Sequence, residues 1–177
     1  KNLALRVVDA GPRGRRAYLR ALAYHENMIG NPTGARAAAE RALADADQEP
    51  WEVVLGASRL TWASIRSGEL DVGLQAADQA LEAAGDRPDL LAHALRLKML
   101  LEGERGHLDV ARDAGEESLR LLSHAGQHGT TSIVTHDLGE MLLVAGEVAP
   151  AMVRLHRAFE MARALDLPLE VVAVARA

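Results

Sequence analysis

Apolar residues recur along this chain at three- and four-residue spacing, as at Leu91 and Leu95 and again at Leu119 and Leu122. That period gathers them on one side of an α-helix. Roughly a third of the residues are Ala or Leu, which lose little side-chain freedom in a helix. Ile occurs only three times, and Thr, Tyr and Phe are sparse, so strand formers are lacking. The pattern predicts an all-α chain whose abundant alanines let helices pack closely.

Glycines punctuate the helical pattern at regular distances. Gly30-Asn31-Pro32, Gly68-Glu69-Leu70, Gly106-His107-Leu108 and Gly146-Glu147-Val148 are spaced by 38, 38 and 40 residues. Five positions after each turn glycine stand Ala35, Gly73, Ala111 and Ala151, all small. Further on come the pairs Ala42-Leu43, Ala80-Leu81, Ser118-Leu119 and Ala158-Phe159, small then large each time. Eight and seven positions before the turn stand Leu22-Ala23, Leu60-Thr61, Lys98-Met99 and Leu138-Gly139. Each copy therefore predicts two helices joined by a tight glycine turn, an αα-hairpin. Glycine suits the turn because it adopts positive φ without a Cβ clash. The expected hairpins cover residues 13–47, 50–85, 88–125 and 129–166, with partial repeats at 1–10 and 168–177. Gly11-Pro12-Arg13-Gly14, Asp47-Gln48-Glu49-Pro50, Gly85-Asp86-Arg87-Pro88, Gly126-Gln127-His128-Gly129 and Asp166-Leu167-Pro168 read as loops between them.

Composition narrows the chemistry. The chain has 177 residues, enough for one domain with a core of its own. Cysteine is absent, which excludes disulfides, thiolate zinc sites and cysteine nucleophiles. Twenty Lys and Arg against 25 Asp and Glu give a net charge of −5 with the basic residues scattered, which argues against a general nucleic-acid grip. The longest run free of charged residues, Leu121 to His136, holds three His, two Gly and several hydroxyls, so no transmembrane helix is expected. The chain opens on Lys1 without a secretory leader and closes on an apolar run, which reads as a piece of a longer protein. His124, His128 and His136 are the closest histidine cluster, but no HExxH or paired carboxylate accompanies them, so no metal site is expected. No G-x-S-x-G, P-loop or G-x-G-x-x-G motif is present either, and neither catalysis nor a cofactor is expected in this region.

The small residues flanking each turn glycine, the small-large pair and the Pro or Gly before the next hairpin resemble the tetratricopeptide-repeat family. The likeness spans nearly the whole chain, with departures: the period of 38 to 40 exceeds the family's usual length of about 34, most aromatic positions of the first helix are vacant, and Lys98 fills an apolar slot. The resemblance implies an α-α superhelix, a solenoid of antiparallel hairpins whose first helices line a concave face. Inward positions carried over on that basis include Arg20, Tyr24, Asn27 and Met28, then Leu55, Ser58, Trp62, Ile65 and Arg66, then His93, Arg96, Leu100 and Glu104, then Ile133, His136, Glu140, Leu143 and Val144. Trp and Tyr bring apolar area at low entropy cost, and Arg offers a fork for carboxylates. Trp62 and Tyr24 could equally fill gaps between neighbouring helices. The family's clamp for a peptide C-terminus is not reproduced, because Tyr24 stands where an Asn belongs. The expected role is a cytoplasmic protein or peptide interaction module, with an acidic or aromatic partner segment. The long, divergent repeats resemble the regulatory arrays of bacterial signalling proteins that carry GGDEF diguanylate cyclase domains, or of LuxR-type regulators. A homodimerisation scaffold and a small-molecule receptor using Tyr24, Trp62 and His93 are the alternatives.

Overall fold

The computed structural model describes residues 11–46 and 49–166. The partial repeats expected at 1–10 and 168–177 lie outside them. The described chain is all-helical: α1 (Gly11–Met28), α2 (Pro32–Ala44), α3 (Pro50–Ser67), α4 (Leu70–Ala84), α5 (Pro88–Glu104), α6 (Leu108–His124), α7 (His128–Val144) and α8 (Val148–Ala164). Consecutive helices pair as hairpins, α1 with α2, α3 with α4, α5 with α6 and α7 with α8.

The helix ends follow from local chemistry. Pro32, Pro50 and Pro88 each open a helix, where a missing N–H costs nothing. The Asn31 side chain caps α2 by accepting from the Gly34 amide at 3.1 Å. The four turn glycines all take positive φ, from 77° to 81°. In three of the hairpins the residue after that glycine donates back across the helix end, Asn31 to Glu26 O at 2.8 Å, His107 to Glu102 O at 2.9 Å and Glu147 to Leu142 O at 2.9 Å. Those bonds satisfy carbonyls that the helix itself leaves open.

Two stretches expected as loops are helical in whole or in part. Gly11-Pro12-Arg13-Gly14 forms the first turn of α1. Proline and glycine mark loops by composition, but Pro12 is tolerated in a first turn, where no amide donor is required. Gly126-Gln127-His128-Gly129 likewise shortens to a connection of three residues, because α6 continues through His124 and α7 begins at His128.

Packing inside each hairpin rests on the small residues. Ala35, Gly73, Ala111 and Ala151 are all buried, as are Ala42, Ala80, Ser118 and Ala158. At the last of these positions two hairpins carry a serine clasp. Ser118 of α6 donates to Ala92 O of α5 at 2.8 Å, while Ser132 of α7 donates to Ala158 O of α8 at 2.9 Å. The two bonds join equivalent positions in opposite directions. Between hairpins, a Cβ on Gly56 would stand 3.0 Å from the Leu43 backbone, which shows how nearly α2 and α3 touch.

The chain divides into two compact units, residues 1–86 and 87–177. In the first, α3 packs against α1 and α2 as well as against α4. Leu19, Ala23, Ala39, Val54, Ala57 and Leu60 are buried there. In the second, α7 packs against α5 and α6 as well as α8, around a core of Ala92, Met99, Ala111, Ala114, Leu122, Val134 and Leu138. Lys98 sits half-buried in its otherwise apolar slot. Among the described residues no helix is long and apolar enough to cross a membrane.

Candidate functional site

The first helices of neighbouring hairpins lie side by side within each unit, and each pair carries a polar seam. In the first unit Arg16, Arg20, Tyr24 and Asn27 follow one another at steps of three or four along α1 and share a face. Glu52, Arg59, Trp62 and Arg66 share a face of α3 by the same periodicity. Arg20 is hydrogen-bonded and ion-paired to Glu52. Arg16 is buried, with Nε 3.7 Å from Glu52 and Nη1 donating to Asp45 O at 3.1 Å. The Arg59 guanidinium lies 5.3 Å from the centroid of the Tyr24 ring. Burial depresses the basicity of Arg59; Tyr24 opposes that effect and the charge of Arg20 adds to it.

Tyr24 keeps 45% of its surface exposed, so the ring is walled on one side and open on another. Ser58 and Trp62 are half-buried, Arg66 is exposed, and the Asn27 side-chain oxygen is buried without a hydrogen bond among the described residues. Four cations, Arg16, Arg20, Arg59 and Arg66, thus accompany the single carboxylate of Glu52 on these two helix faces. The seam can stack a planar group and donate to an oxyanion.

The second unit joins Arg96 of α5 to Asp137 of α7, with His136 beside that carboxylate and Glu140 one turn further along α7, but to a different end. Arg96 Nε donates to Asp137 at 2.7 Å, and the Asp137 side chain is only 2% exposed. Burial alone would raise the Asp137 pKa; the charges and hydrogen bonds of Arg96 and His136 outweigh it and hold the carboxyl below its ordinary value. His136 stands 3.8 Å from Asp137 and 3.9 Å from Glu140. Burial, helped by Arg96 and opposed by a hydrogen bond with Gln127, lowers the pKa of His93 and favours its neutral form. The cation of Arg96 is therefore already committed within the chain. Leu143 and Val144, at the end of α7, are exposed.

Arg59 and Asp137, which give the two seams their chemistry, were not among the inward positions carried over by resemblance. Both stand nine residues before their turn glycine, one step from Ser58 and His136. Their signal in the sequence is a charge in the middle of a helix with a leucine as its next residue, Leu60 and Leu138. Trp51, eleven residues before Trp62, is 44% exposed at the start of α3. His124 Nδ1 lies 2.7 Å from Arg120 O, and among the described residues no group of three or more His, Asp or Glu is arranged to hold a metal.

No protein-family model, curated protein or solved structure matches the chain.

Proposed function

We propose that the chain is a non-enzymatic interaction module of the tetratricopeptide kind, which takes up a segment of a partner protein or peptide on the faces of its first helices. The observation that carries this reading is the α1/α3 seam, where an exposed tyrosine, a half-buried tryptophan and a surplus of arginine share adjoining faces. Aromatic and arginine side chains are the residue types that most often dominate binding energy at protein interfaces. The long period and divergent repeats support a place in the regulatory region of a cytoplasmic bacterial signalling protein, of the GGDEF or LuxR kind.

The test is a titration of the whole chain with labelled acidic, aromatic and neutral peptides, read by anisotropy and by Trp fluorescence. Acidic peptides should bind, Tyr24→Ala and Arg66→Ala should each weaken them, and added salt should weaken them further as ions screen the arginines. Salt-insensitive quenching by a small aromatic molecule would instead favour a receptor role. Absence of binding by every peptide would remove the reading.

Self-association is the second reading, favoured by α8. Val148, Met152 and Phe159 lie along one side of that helix and are 55%, 57% and 42% exposed. Sedimentation across a hundredfold concentration range should show a rising mass if a second copy covers them, and Phe159→Glu should abolish the rise.

A further inference from the structure

Arg59 differs from its neighbours on the α1/α3 seam. Arg20 is tied to Glu52, Arg16 to Glu52 and the Asp45 carbonyl, and Arg66 projects into solvent. Arg59 is half-buried, and among the described residues it makes no hydrogen bond and no ion pair; its contact is with the Tyr24 ring. A guanidinium carries five N–H donors in its own plane, and the Cζ of this one lies 5.3 Å from the Tyr24 ring centroid. Those donors keep access to solvent and have no acceptor among the described residues. Arg20 places a second positive charge near enough to disfavour the first. An anion at this point would relieve both effects.

We propose that Arg59, held against Tyr24, anchors an acidic side chain within the partner segment, an internal aspartate or glutamate gripped by two parallel N–H···O bonds, and that Glu52 is the chain's own competitor for the adjoining cation, Arg20. The proposal rests on the interaction-module reading and specifies which side chain does the gripping and what it grips. A carboxylate suits the seam because Glu52, a carboxylate of the chain itself, is already bound there by Arg20 beside Arg16. The guanidinium fork matches the two oxygens of a carboxylate in plane and spacing. With Glu52 in place Arg20 is engaged, and the ligand meets Arg59 first. With Gln in place of Glu52, Arg20 is released to make a second contact.

The experiment uses the whole chain and an N-acetylated, C-amidated peptide of alternating Glu and Leu, with fluorescein on a terminal lysine. The control has Gln for every Glu. The Glu peptide should bind at least about tenfold more tightly than the Gln peptide. Arg59→Lys, which keeps the charge and loses the planar fork, should weaken the Glu peptide by about tenfold. Glu52→Gln should tighten it by about threefold. Circular dichroism shows whether each variant keeps its helices, and Glu52→Gln provides an independent test should Arg59→Lys unfold. Equal binding by wild type and folded Arg59→Lys overturns the anchor while leaving the module reading intact, and so does a Glu52→Gln variant that binds no more tightly. If the Gln peptide binds and the Glu peptide does not, or if neither binds, the acidic site falls; the module reading falls only if the aromatic and neutral peptides of the wider titration fail as well.

Discussion

Asp137 and Arg96 show how burial and pairing oppose each other at a single contact. Buried to 2% of its side chain, Asp137 would favour its neutral form, yet Arg96 at 2.7 Å and the neighbouring His136 keep it ionised. Removing one partner from such a pair leaves an uncompensated charge, so Asp137→Ala should destabilise the fold by about 3 kcal/mol, read from urea unfolding. The pH dependence follows from the sign of the shift. A carboxyl whose folded pKa lies below its ordinary 3.8 contributes stability that is present above that value and disappears as pH falls towards the folded pKa. Wild type should therefore lose stability more steeply below about pH 4 than Asp137→Asn does. His93 acts at a milder pH. Its folded pKa lies below the ordinary 6.5, so its contribution is present above 6.5 and fades as pH drops through the folded value. Thermal unfolding from pH 7 down to 5 should show this loss in wild type and a flatter profile in His93→Gln.

At the scale of helices, the spacing of small residues decides the packing. A Cβ added to Gly139 would meet Leu155 side-chain carbons at 2.8 and 2.9 Å and its backbone nitrogen at 3.2 Å. Overpacking of that kind typically costs about 1–3 kcal/mol, against a helix-propensity gain of up to about 1 kcal/mol. Gly139→Ala should therefore lower the urea midpoint. Ser118→Ala and Ser132→Ala each delete one buried clasp and should each cost about 1 kcal/mol, with nearly additive effects because the clasps belong to different hairpins. The hairpins themselves were legible in the sequence because a turn needing positive φ and a crossing needing a small side chain constrain single positions, which then repeat. Ala35, Gly73, Ala111 and Ala151 could be identified in this way and are buried. The start of α1 was not legible, since Pro12 and Gly14 carry the composition of a loop while the geometry of a first turn accepts them. The seams were legible only in part. Arg20 and Tyr24, or His136 and Glu140, can be placed by periodicity along one helix, whereas Arg59 with Tyr24 and Arg96 with Asp137 depend on which two helices stand together and at what height.

At the scale of the whole chain, the division at residue 86 gives each half two hairpins and a buried core of its own. Contacts between adjacent elements dominate such arrays, and stability accrues locally. Residues 87–177 produced alone should therefore remain helical by circular dichroism and unfold cooperatively on heating; a gradual, featureless melt would show that this half depends on the other. The two serine clasps have a further consequence for how such a chain can be rearranged. Because α6 supplies the hydroxyl in one hairpin and α7 in the next, the opposite helix of each pair offers only alanine and a carbonyl. A hybrid of α7 with α6 would crowd two hydroxyls into one crossing, and a hybrid of α5 with α8 would leave that crossing with none. The exchangeable part is the matched pair: duplication or recombination can move an entire hairpin, but a cut at the turn glycine separates a lock from its key.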